Sequence, residues 1–173
     1  MPKQRLQNKS YIFQKKAFLL FFCLLFCKFE ILLYNKNMEN KDCVFCKIIS
    51  GEFSSYKIYE NEYVLAFLDI SKDCFGHTLV VPKKHFENVL DCDEKYLAEC
   101  IKAVKLIGNH YVNDCGFDGI NIINASGKSA EQSVFHLHFH IIPRKTNDNM
   151  HTFPTFPGTD VDFEKQLEIL KVK

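Results

Sequence analysis

Two rhythms of apolar and polar residues run through the chain from Cys43 onward. "YKIYENEYVLAFLDI" reads as two strands around Glu60-Asn61-Glu62, and "HTLVVP" as a third strand that Pro82 stops. Between residues 93 and 113 the period lengthens: Leu97, Cys100, Ile101, Val104, Ile107 and Tyr111 recur at three- and four-residue steps. That pattern predicts one long helix, capped by Asp93, with its apolar stripe on the sheet. "GINIINA" and "SVFHLHFHII" return to a two-residue period and predict two further strands, separated by the loop "SGKSAEQ". Ahead of all these, "FCKIISG" reads as a short helix ended by Gly51, where a positive φ is often needed. After Arg144 the chain reads as loop, with a short helix in "VDFEKQLEILKVK". The order predicts an α+β domain: a mainly antiparallel five-stranded sheet, one long helix and one short N-terminal helix. The expected division is a leader over 1–37, the domain over 38–150 and a C-terminal tail over 151–173.

The leader breaks the pattern. "KKAFLLFFCLLFCKFEILLY" sets basic residues ahead of an apolar run from Ala17 to Cys27, broken by Lys28 and Glu30. That run is short of the ~20 residues a membrane helix needs and is closer to the apolar region of a signal peptide. A membrane is therefore expected only through this segment, if it is retained. A start at Met38 is the competing reading, and it makes the domain cytoplasmic.

Composition adds a core and removes a ligand class. The chain has 173 residues, 47% of them hydrophobic, with 17 Phe, enough for one domain and an appendage. Residues 1–37 carry seven Lys/Arg and one acidic residue, which leaves 15 basic and 20 acidic residues beyond them. An acidic domain lacks the broad positive surface that a nucleic-acid backbone requires, so no nucleic acid is expected. A small phosphorylated ligand held by local donors stays open.

"FHLHFHIIPR" then concentrates the chemistry. Side chains at alternate positions of a strand share a face, so His136, His138 and His140 point one way and Leu137, Phe139 and Ile141 the other. Three histidines on one face, in a chain with seven, are a poor match for generic polar filler. Imidazole serves as nucleophile, general acid or base near its ordinary pKa of ~6.5, or metal ligand. On a phosphoester or phosphoanhydride, one ring nitrogen attacks phosphorus while a hydrogen bond to the other fixes the tautomer. Donors in the preceding loop would steady the phosphoryl oxygens.

His136-Leu137-His138-Phe139-His140-Ile141-Ile142 resembles the signature of the histidine triad family. "CVFCKIISGE", "VLAFLDI", "GHTLVVPKKH" and "QSVFHLHFHIIPR" are similar to its nucleotide-binding and bacterial-type hydrolase branch in order and spacing. The resemblance covers residues 43 to about 145. It implies the fold of that family, a purine nucleotide or nucleoside phosphoramidate substrate, and hydrolysis to a nucleoside monophosphate through a nucleotidyl-histidine. Dinucleoside polyphosphate hydrolysis and a non-catalytic nucleotide- or partner-binding module are the alternatives.

By that resemblance His138 is the nucleophile, and His140 orients it through its backbone carbonyl. Ser133 and Gln132 contact phosphate or leaving group, and His77 stands near the triad. Asp69 grips the ribose hydroxyls, while Val44, Phe45, Ile48, Phe67 and Ile70 wall the base; by spacing alone each wall residue equally suits the core. The chain departs from the family pattern at Glu131, where relatives often have Gly, and at Ala125, where they have Asn or Gln. A one-residue shift hands the second contact to Asn124 or Ser126.

Cys43 and Cys46 have the spacing of a zinc knuckle with no second pair, and free thiols or a redox pair are competing readings. The resemblance supplies His85 and His136 as further ligands and implies a closed, structural Zn2+ site. Cys74, Cys92, Cys100 and Cys115 read as buried or reduced thiols. The resemblance also implies a homodimer joined through the long helix and neighbouring strand, with Tyr96, Leu106 and Val112 as extra apolar surface on that helix.

Overall fold

The computed structural model describes residues 42–71, 73–158 and 162–172, so the expected leader lies outside the described residues. The elements are α1 (Val44–Ile49), β1 (Lys57–Glu60), β2 (Val64–Leu68), β3 (Thr78–Pro82), α2 (Glu94–Asn113), β4 (Gly119–Ile123), β5 (Phe139–Arg144) and α3 (Phe163–Leu170). The five strands form one sheet in the order β1-β2-β3-β5-β4, with every neighbouring pair antiparallel. The expected α+β architecture is the one observed.

Local chemistry explains the turns. Asn61 accepts the backbone N–H of Tyr63 and of Val64, both at 2.8 Å, and so folds the chain between β1 and β2. Gly51 follows α1 at φ 81°, the left-handed conformation expected at a helix exit. Asp93 stands at the start of α2 but makes no side-chain cap; its carboxylate pairs with Lys84 at 2.6 Å instead. A neighbouring cation thus outcompetes the orphan N–H groups.

The sheet has two faces of different character. On one, α2 lays Cys100, Ala103, Val104, Ile107 and Tyr111 against Val64, Ala66, Val80, Leu137, Phe139 and Ile141. Ile101, expected in that stripe, is 47% exposed. Ala103 and Gly108 are buried instead, because the helix–sheet contact favours small residues: a Cβ at Gly108 would lie 2.5 Å from Ile120. On the other face Leu65, Phe67, Leu79 and Val81 are covered by Phe45 of α1. Among the described residues no helix is long and apolar enough to cross a membrane.

Arg144 at the end of β5 gathers the segment beyond it. Its guanidinium donates to both carboxylate oxygens of Asp148 at 2.7 and 2.8 Å, and to Asn121, Thr152 and the Met150 carbonyl. The sequence offered no sign of this anchor.

Candidate active site and metal centre

The histidine run is only partly in the ladder. β5 begins at Phe139, and the stretch expected as strand before it runs beside a different partner: Leu137 N–H donates to the Phe86 carbonyl at 2.7 Å. The alternation nevertheless holds, since Leu137, Phe139 and Ile141 face α2 while His136 and His138 lie against Phe45 of α1. Two of the three imidazoles are fully buried and His140 is half-buried. His136 is 0% and His138 3% exposed.

His138 is fixed by its Nδ1–H, which donates to the His136 carbonyl at 2.7 Å. The orienting carbonyl is therefore that of His136 and not that of His140, since the chain turns His136 O back towards the ring two residues on. Nε2 is left as the nitrogen that carries the lone pair. Burial pushes the His138 pKa below its ordinary value, so the ring is neutral near pH 7. Burial, with His138 and His77 nearby, pushes His140 down to about 4. His140 Nδ1 and His77 Nε2 are 2.8 Å apart, and His77 is itself buried.

A cleft of about 730 Å³ opens over His138 and His140. Val44, Phe45, Ile48, Phe67 and Ile70, the five expected wall residues, all line it, together with Asp69, Ser133, His138 and His140. Phe45 and Phe67 also belong to the core, so the two readings of those positions coincide. Ile70 is 81% exposed and serves only the cleft. Phe53, Ser55, Tyr56 and Val134 are among the further lining residues, without any motif that would have identified them.

Two expected ligand contacts are otherwise engaged. Gln132 is buried and turned away: its amide donates to the carbonyls of Glu87 and Val134 and its oxygen accepts the Gly127 N–H at 2.7 Å. It staples the loop that carries Ser133 and does not face the cleft. Asn124 donates to the His138 carbonyl at 2.8 Å and accepts from Ser126 at 2.9 Å, so it steadies the backbone of His138. Ser133, exposed at the mouth, is the polar side chain of that loop that reaches the cleft.

At the other end of the run, Cys43, Cys46, His85 and His136 bring four ligand atoms within 4.8 Å of one another. Cys43 Sγ lies 3.4 Å and Cys46 Sγ 3.5 Å from His136 Nδ1, and Cys46 Sγ lies 3.3 Å from His85 Nδ1. Tetrahedral zinc with ordinary Zn–S and Zn–N bonds sets sulfur and nitrogen ~3.6 Å apart, so the four residues fit that ion. His136 Nε2–H donates to the Pro82 carbonyl at 2.9 Å, which leaves Nδ1 unprotonated and aimed at the sulfurs. A hydrogen bond with Cys46 pulls the Cys43 thiol down to about 3, and the same contact, with burial, pushes Cys46 up. All six described cysteines are free; of the four outside the metal cluster Cys100 is buried, Cys74 and Cys92 half-buried and Cys115 exposed.

A family model described as "HIT domain" matches residues 50–147. An uncharacterized HIT-like protein of Borreliella burgdorferi is 51% identical over 109 residues, 62% of this chain and 78% of that one. Adenosine 5'-monophosphoramidase HNT1 of Saccharomyces cerevisiae is 34% identical over 123 residues, covering 71% and 75%. Among solved structures, a zinc-bound histidine triad family protein from Mycobacterium smegmatis superposes with TM-score 0.61 at 35% identity, over 75% of this chain and 91% of that one.

Proposed function

The chain belongs to the HIT domain family, and from that premise we propose that it hydrolyses nucleoside phosphoramidates or related nucleotidyl esters, with His138 as nucleophile. The observation that carries the reading is the tautomer of His138: with Nδ1–H on the His136 carbonyl, Nε2 is the free lone pair at the floor of the cleft. The similarity to a yeast adenosine 5'-monophosphoramidase supports the substrate class.

In the proposed reaction Nε2 attacks phosphorus as the P–N bond to the leaving amine breaks; the amine takes its proton from water at the open cleft, and the later attack of water on phosphorus returns one proton to solvent. The positive charge left on the imidazole is stabilised by the His136 carbonyl at Nδ1–H. Water then opens the nucleotidyl-His138, giving the monophosphate and the neutral ring. Asp69, whose Oδ1 accepts the Ser71 N–H at 2.8 Å, offers its other oxygen to a ribose. The apolar wall takes the base, and Ser133 donates at the phosphate.

Zinc at Cys43, Cys46, His85 and His136 would supply cohesion between α1 and the triad and takes no part in bond cleavage. We also infer a homodimer: β4 is a sheet edge with Ile122 and Ile123 exposed, as is Leu106 on α2. Tyr96 packs on the core and adds nothing to that surface.

Incubating the chain with adenosine 5'-phosphoramidate tests the enzyme reading. Release of AMP that His138→Ala abolishes supports it. AMP binding without release supports the non-catalytic nucleotide-binding alternative.

A further inference from the structure

We propose that Asp69, His77 and His140 form a second divalent-cation site, at the wall where Asp69 and His140 line the cleft and Asp69 and His77 the hollow beside it, and that a zinc-class ion bound there excludes the ribose. The three ligand atoms lie within 4.8 Å of one another. His77 Nε2 is 2.8 Å from His140 Nδ1 and 3.7 Å from Asp69 Oδ2. Asp69 is anchored through Oδ1 by the Ser71 N–H, so Oδ2 is the oxygen left to bind. Tetrahedral zinc holds two imidazole nitrogens ~3.3 Å apart, so the ring pair opens by about half an ångström and the carboxylate closes by a few tenths. Two imidazoles and one carboxylate suit borderline divalent ions over Mg2+ or Ca2+, which favour oxygen donors.

An independent observation points to the same ion. His77 is buried, yet its Nδ1 has no hydrogen-bond partner. Asp73 Oδ2 stands 3.7 Å from that nitrogen, just beyond bonding distance. A ring that binds a cation through one nitrogen characteristically donates its other N–H to a carboxylate, which fixes the tautomer and strengthens the ligand. Asp73 is placed for that role, and an ion on Nε2 would polarise Nδ1–H towards it. The pairing of His77 with His140 alone leaves the orphan atom unexplained. Water would supply the fourth ligand of a tetrahedral ion.

The ion site stands by itself; its effect on nucleotide rests on the proposed function. Zn2+ on the full chain should bind at two per chain, counted by native mass spectrometry and elemental analysis. Replacing both Cys43 and Cys46 by Ser should remove one ion, and His77→Gln the other. Asp73→Asn, at an exposed position that leaves folding intact, should weaken the second ion about 10- to 100-fold and leave the first unchanged. Co2+ in the second site should give ligand-field bands without a sulfur charge-transfer band. One ion per chain at saturating zinc, or a second ion indifferent to both His77→Gln and Asp73→Asn, overturns the site. Adenosine, which lacks the phosphate that would itself bind zinc, should bind about tenfold more weakly once the second ion is present. Equal adenosine affinity with and without that ion overturns the exclusion. Adenosine that binds neither form counts against the nucleotide reading, while the ion count still decides the site.

Discussion

His136 and His138 stand two residues apart on one face of the same run, both buried, both edge-on to Phe45. They differ in which nitrogen a backbone carbonyl removes. Pro82 O takes Nε2–H of His136 and leaves Nδ1 facing two sulfurs; His136 O takes Nδ1–H of His138 and leaves Nε2 facing the cleft. One residue type thus becomes a metal-type ligand at one end and a nucleophile-type base at the other. Local main-chain geometry, and not the side chain, sets the division.

The largest way to break that comparison is His138→Ala. Removing a covalent nucleophile should lower turnover of an adenosine phosphoramidate by at least about 10⁴-fold, while zinc content stays the same because the free nitrogen is not a ligand. AMP formation followed by chromatography, beside elemental analysis of the same sample, checks both halves. Turnover within tenfold of the unchanged chain would mean that the freed Nε2 is not the attacking atom.

Zinc removal attacks the other end. An ion held at a free concentration a thousand times its Kd stabilises the fold by about 4 kcal/mol, so chelation or Cys46→Ser should lower Tm by on the order of 10 °C. Differential scanning calorimetry with and without added zinc reads the shift. No change on chelation of a zinc-loaded sample would leave Cys43 and Cys46 as ordinary thiols.

The sequence made some of this legible and hid the rest for physical reasons. Periodicity located all five strands and α2, because burial of one face writes itself into alternate or three-and-four spacing. The alternation of His136, His138 and His140 likewise put them on a common face. Spacing carries no information about which carbonyl a ring meets, so it did not tell that the His136 carbonyl, and not that of His140, meets His138. Gln132 and Asn124 illustrate the same limit: a carboxamide beside a triad suggests ligand contact, yet Gln132 is taken up by backbone groups of Gly127, Val134 and Glu87, and Asn124 by the His138 carbonyl and the Ser126 hydroxyl. Ile101 was misplaced because helical spacing does not tell which side of a broad stripe meets small residues. Asp73 and Ser55 became visible only when distant segments met.

Acid should sharpen the comparison more gently. Burial holds His138 below its ordinary pKa and His140 at about 4, against ~6.5 in an unfolded chain. As pH falls below 6.5 the unfolded chain takes up protons first, so stability declines from pH 6.5 towards 4 and is constant with respect to these groups above 6.5. His140→Asn should flatten that slope in urea titrations at pH 7, 6 and 5. The neutral, reactive form of His138 also persists below 6.5, which places the acid limb of kcat/KM below that value; a limb at 7 or above would contradict a buried neutral nucleophile.

Between the two ends lies the loop that both share, since Ser133 and Val134 line the cleft and also the hollow beside Cys43 and His85. Glu131 closes its short helical turn in the left-handed region, at φ 63° and ψ 26°. A side chain there costs about 1–2 kcal/mol relative to right-handed backbone, whereas glycine adopts it freely and gives back roughly 0.5–1 kcal/mol of that through its more flexible unfolded state. Glu131→Gly should therefore stabilise the chain by about 0.5–1 kcal/mol. The Gln132 staple fixes the loop whichever residue precedes it, so zinc content should be unchanged and turnover should stay within about twofold. Urea unfolding midpoints give the first quantity and AMP release the second. A gain in stability with a loss of turnover would show that Glu131 acts on the cleft end alone; a loss of stability would show that the strained backbone is held by contacts of the Glu131 side chain.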